Sequence, residues 1–132
     1  METTFNFTDY SEMVANTGAV TISTANPNLD GTGAVANLIT GAANGTIINT
    51  VIIKAIQTTS QGVIRFFLNN SASPQLLLEG IVPACTPTAV EPSFETRISL
   101  CVNLASGTKL QVSTERAESF NVIAEGLDCC RT

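Results

Sequence analysis

The feature that most constrains this chain is its rhythm: from residue 19 onward, short β-rich runs alternate with clusters of turn residues. The runs are AVTIS (19–23), AVANLIT (34–40), TIINTVIIKAI (46–56), GVIRFFLN (62–69), QLLLEGI (75–81), FETRISLCV (94–102), KLQVS (109–113) and SFNVIAE (119–125). Between them lie NPNLDGTG, AANG, TTSQG, NNSASP, PACTPTAVEP, NLASG and TERA, rich in the Gly, Pro, Asn and Ser that reverse a chain. Eight such runs at this spacing predict an all-β antiparallel sandwich or barrel.

Side-chain alternation sets the faces. Successive strand residues point to opposite sides, so Phe94, Thr96, Ile98 and Leu100 are expected inside, and Glu95, Arg97 and Ser99 outside. Phe120, Val122 and Ala124 likewise oppose Asn121 and Glu125, with Ile123 on the second face. TIINTVIIKAI is apolar on both faces, which predicts a central strand whose outer side is covered. A helix over 46–56 is the competing assignment, but its β-branched and Asn residues are poor helix formers.

Residues 1–18 show no period and read as an N-terminal arm, followed by the sandwich (19–127) and a tail (128–132). Phe5, Phe7 and Tyr10 lie in the arm, leaving Phe66, Phe67, Phe94 and Phe120 for the body. Aromatic rings on an unpatterned terminus are costly to leave in water. They are expected to dock on a neighbouring subunit or another protein.

Composition excludes several functions. Of 132 residues, 44% are hydrophobic and only 13% charged, so the surface must be built from Thr, Ser, Asn and Gln. Scarce charge is also a property of interface cores. The net charge is -5, and the six cations (Lys54, Arg65, Arg97, Lys109, Arg116, Arg131) are scattered, which argues against nucleic acid. No apolar stretch approaches the roughly 20 residues that span a bilayer, and the acidic METTFNFTDYSEM is unlike a signal peptide. A soluble protein is expected.

The chain has no histidine, which removes the usual general base, the Ser-His-Asp arrangement and the commonest zinc ligand. Two carboxylates alone can hydrolyse glycosides, and Glu79, Glu91, Glu95, Glu115, Glu118 and Glu125 are candidates. Without Trp and with a single Tyr, however, a sugar-stacking platform is hard to build. These acids read better as solvated strand and turn residues. GTGAVA (31–36) matches a dinucleotide-binding skeleton, but that motif works only between a strand and a helix. Here it reads as a turn feeding a strand.

Cys85, Cys101, Cys129 and Cys130 contain no C-x-x-C pair, so a zinc site is not expected. Cys85 and Cys101 flank one loop-and-strand unit and are a candidate disulfide, worth about 3 kcal/mol for a loop of that length. Four reduced thiols is the alternative. No cofactor, metal or catalytic residue is assigned.

Four segments carry a resemblance. TANPNLDGTGAV, NGTIINTVIIKAIQTTSQGVIRFFL, EPSFETRISL and above all GTKLQVSTERAESFNVIAEGLD are similar to small β-rich virion structural proteins of tailed bacteriophages. The resemblance spans about residues 24–128 and leaves out the arm, the CCRT tail and the pattern of cysteines. It implies a non-enzymatic capsid decoration (cement) protein on the virion surface, synthesised in the host cytoplasm, with the major capsid protein and further copies of itself as partners. The expectation is a jelly-roll-like sandwich forming a homotrimer. A fibre or tail-associated receptor-binding module is the alternative, and a carbohydrate-binding or glycan-active protein is the third reading.

Overall fold

The computed structural model describes residues 13–71 and 73–129. Its strands are β1 (Val14–Ile22), β2 (Ala36–Thr40), β3 (Thr46–Ala55), β4 (Gly62–Asn69), β5 (Pro74–Val82), β6 (Glu95–Leu104), β7 (Lys109–Thr114) and β8 (Phe120–Asp128). Every predicted run is a strand. They form two four-stranded sheets, β1-β8-β3-β6 (sheet A) and β2-β7-β4-β5 (sheet B), in which every pairing is antiparallel. Only β4 and β5 are consecutive neighbours; every other connection carries the chain to the opposite sheet. The result is a jelly-roll-like sandwich.

Alternation builds the core as expected. Ile48, Val51 and Ile53 of β3 and Phe120, Val122 and Ala124 of β8 are buried on the inner side of sheet A. Ile64 and Phe66 of β4 and Leu110 and Val112 of β7 meet them from sheet B. Burying each such large side chain stabilises by about 1.5–3 kcal/mol. Phe94, Ile98 and Leu100 pack against this cluster, while Glu95, Arg97 and Ser99 are exposed.

Two expectations need correction. The arm does not extend to residue 18, because Val14 to Gly18 already pair with β8 from Asp128 to Ala124. VANTG lacks alternating apolar residues because β1 is an edge strand held largely by backbone hydrogen bonds. Its Gly18 lets β1 and β2 close one side of the sandwich: a Cβ there would stand 2.0 Å from the Leu38 carbonyl oxygen. β3 is central, between β8 and β6, but its outer side chains, Ile47, Thr50, Ile52 and Lys54, are only half-buried. No other element of the described chain lies over them.

GTGAVA behaves as read from the sequence. Gly31 and Gly33 adopt φ of 82° and 84°, conformations that glycine tolerates, and the chain enters β2 at Ala36.

Candidate interaction surfaces

The outer face of sheet A is a ladder of aliphatic and neutral polar rows. Ala19, Ile123, Ile52 and Arg97 stand in register across the four strands, as do Thr17, Glu125, Thr50 and Ser99. At one end Ala15, Leu127, Ile47 and Asn103 form a third row. Ala19, Val20, Thr21, Asn121 and Ile123 line a shallow depression of about 300 Å³. The Lys54–Glu95 pair at 3.0 Å joins β3 to β6, and the Arg97–Glu125 pair at 3.6 Å reaches from β6 across β3 to β8. Both pairs are well exposed, so each contributes at most about 1 kcal/mol. Such a face can bind a protein surface by apolar contact and amide hydrogen bonding.

The outer face of sheet B differs because the β1–β2 loop lies on it. Phe67 points away from the central core, opposite its neighbour Phe66, yet both are fully buried. Gly31 sits against Pro74 and the Phe67 ring; a Cβ on it would be 2.3 Å from Pro74 Cβ. Asn26 holds the loop in place. Its backbone N–H donates to Thr114 O at 2.8 Å. Its Nδ2 donates to Thr32 O and Ala34 O, both at 2.9 Å, and its Oδ1 accepts from Asn28 N at 3.0 Å. On the same face Gln111 is buried, donating to Asn37 Oδ1 at 2.6 Å and accepting from Asn69. Arg65 Nε donates to Glu79 Oε2 at 2.9 Å. The cross-strand neighbours Arg65 and Ser113 each bury one polar atom, Nη1 and Oγ, without a protein partner.

The carboxylates are dispersed into structural tasks. Asp128 accepts from Asn16 Nδ2 and Thr46 Oγ1, each at 2.8 Å, tying β1, β8 and β3 together. Glu118 accepts from Ser60 N at 2.8 Å, and Glu91 accepts from the backbone-capping Thr88. Among the described residues, no group of three or more acidic or cysteine side chains is placed to hold a metal. Hydrogen bonds from the Thr32 hydroxyl and backbone N–H hold the Asp30 carboxyl below the usual aspartate range. Arg116 does not pair with Glu115 or Glu118 as its neighbours suggest; its Nε donates to Gln61 O at 2.7 Å.

The candidate disulfide is not formed. Cys85, Cys101 and Cys129 are free thiols. Cys85 bridges to Thr59 through backbone hydrogen bonds, and its thiol faces Pro92 O, just before β6 begins. Cys101 lies six residues beyond Glu95 along β6. At about 3.3 Å per residue that separation is roughly 20 Å, well beyond the ~7 Å between Cα atoms that a disulfide tolerates. Phe5, Phe7 and Tyr10, the proposed arm contacts, lie outside the described residues.

The strand pattern gave no sign of one further feature. Where β3 begins and β6 ends, Asn44 to Ile47, Asn103 to Ala105 and Cys129 enclose a groove of about 370 Å³. Cys129 N donates to Gly45 O at 2.9 Å, so the last described residue forms one wall.

No protein-family profile and no curated protein sequence matches the chain. Solved structures do. An Eiger TNF from S. frugiperda superposes with a TM-score of 0.56 at 9% identity, covering 92% of this chain and 95% of that one. A pentameric capsid protein from metagenomic phage sequences gives 0.40 at 13% identity, covering 96% of this chain and 64% of that one. The T13 IBDV viral particle gives 0.47 at 9% identity, covering 89% of this chain and 31% of that one. The first likeness establishes the eight-stranded sandwich fold, which hosts many unrelated functions.

Proposed function

We propose that this chain is a non-enzymatic structural protein of a tailed-bacteriophage virion, a decoration (cement) protein that binds across junctions of coat-protein subunits. The observation that carries the reading is the bare outer face of sheet A, where Ala19, Ile52 and Ile123 make a continuous neutral row. An interface core is poor in charge, and on this face Lys54 and Arg97 are each neutralised by a partner, Glu95 and Glu125. Packing that face against coat protein or against further copies in a homotrimer removes the half-buried isoleucines from water. The four sequence segments shared in pattern with phage virion proteins point the same way.

A decoration protein binds assembled shell in preference to free subunits, and so stabilises the shell by mass action. Recombinant protein added to purified empty heads that lack it is expected to co-sediment with them and raise their melting temperature. Heads that neither bind it nor gain stability overturn the proposal. Binding to tail fibres or to host cells instead favours a receptor-binding module.

A further inference from the structure

We infer that the free edge of β5 pairs with the same edge of a second copy of this chain, antiparallel and about a two-fold axis at Gly80. This contact lies on sheet B, away from the bare face of sheet A, and does not rest on the proposed virion role. The four outer strands of the sandwich differ in how their edges are protected. β1 and β2 close against one another, with Gly18 on the Leu38 carbonyl. β6 carries Glu95 and Arg97, and its ladder is interrupted at Leu100 and Cys101, the latter at a φ of 52°. Charges and bulges of this kind keep an exposed strand from pairing.

β5 has little such protection. Among the described residues β4 is its one strand partner. Its single proline, Pro74, stands at the first position, where it does not interrupt a ladder. The bulge at Leu77 is followed by a regular run from Leu78 to Val82, and the Thr59–Cys85 bridge carries the same register beyond it. On this run Ile81 is 75% exposed. Glu79 is the only charge on the strand, and Arg65 of the same copy neutralises it at 2.9 Å. An edge of this kind takes another extended chain, whose backbone satisfies its open N–H and C=O groups.

A second copy is the occupant because the edge is its own complement, as a two-fold contact requires. Centred on Gly80, antiparallel pairing sets Leu78 against Val82 of the second copy and Glu79 against Ile81 of the second copy, on both sides of the axis. Directly opposed residues share a face. The Leu78 pairs therefore lie on the inner side of the joined sheet and the Glu79 pairs on the outer side. No charge stands opposite a like charge, each Ile81 gains a neighbour, and Gly80 brings no side chain to the axis. Two four-stranded sheets become one continuous sheet.

Sedimentation equilibrium of the full chain under reducing conditions tests this. The mass is expected to rise from 13.8 kDa toward twice that value between about 1 μM and about 1 mM, the span of weak contacts. Amides of residues 78–82 are expected to exchange more slowly at the upper concentration, and those of β6 to be unchanged. Ile81→Glu, which faces Glu79 of the second copy with a like charge, is expected to weaken association about tenfold or more. Ile81→Lys, which faces it with the opposite charge, is expected to retain association, and so is the sheet A variant Ile52→Ser/Ile123→Ser. A mass of 13.8 kDa at every concentration overturns the inference and leaves the edge to a strand of another protein. Equal association of the Ile81→Glu and Ile81→Lys chains also overturns it, as does a dimer that the sheet A variant abolishes.

Discussion

The two outer faces of this sandwich are built from similar strands and meet water differently. On sheet B the β1–β2 loop folds back over Phe67, and Gln111 and Ser113 on the same face are buried too, so that a second layer of burial forms outside the main core. On sheet A, Ile52 and Ile123 stand in register with no loop above them. The contrast shows how burial divides between folding and assembly. A face covered by its own loop contributes to the stability of the free subunit, whereas a bare face contributes only when another surface arrives.

Substitutions can break this comparison. The largest effect is expected from Phe67→Ala on the covered face, a loss of about 3–5 kcal/mol of unfolding free energy by urea titration, because the loop above cannot fill the space. Next comes Asn26→Ala, which removes the donor of Ala34 O, one of the two donors of Thr32 O and the acceptor of Asn28 N, and is expected to cost about 1–3 kcal/mol. Increased protease sensitivity confined to residues 27–33 would locate the damage. A double change on the bare face, Ile52→Ser with Ile123→Ser, is expected to alter the stability of the isolated protein by no more than about 1 kcal/mol while abolishing attachment to empty heads. Should it destabilise the free subunit as much as Phe67→Ala, the two faces are not different in kind. The smallest effect concerns Asp30. Its carboxyl is held below the usual aspartate value by Thr32, so its contribution is full above about pH 3.9 and is lost only as pH falls through the lower folded value. A carboxyl titration by NMR is expected to show a midpoint below that of a free aspartate, and Thr32→Val, which removes the hydroxyl but keeps the backbone N–H donor, is expected to return it part of the way.

How far the sequence foretold this depends on which interactions a pattern can express. GVIRFFLN was legible to the residue because turn clusters bound it on both sides and it is rich in β-branched and aromatic residues. VANTG was not, since an edge strand paired through its backbone needs no apolar rhythm. Phe67 shows a deeper limit: period two correctly sends it away from Phe66, but nothing local says that Gly31, distant in sequence, will cover it. Cys85 and Cys101 failed for the opposite reason, being close in sequence yet held apart by an extended strand. The dispersal of the carboxylates followed from alternation and turn composition, so it was readable in advance. The end groove was not, because it forms where three separate stretches meet.

Strand order has a consequence for synthesis. β8, the last of these eight strands to be made, lies between β1 and β3, two of the first three. Until it inserts, β1 has no partner in its sheet and β3 presents an unpaired edge to the surroundings. Sheet A therefore closes only once residues 120–128 have been made, and until then a nascent chain carries open β edges, the state most prone to mispair with its neighbours. Chains halted before residue 120 are expected in the insoluble fraction, and a chain that includes β8 is expected to reach its native form in a single step.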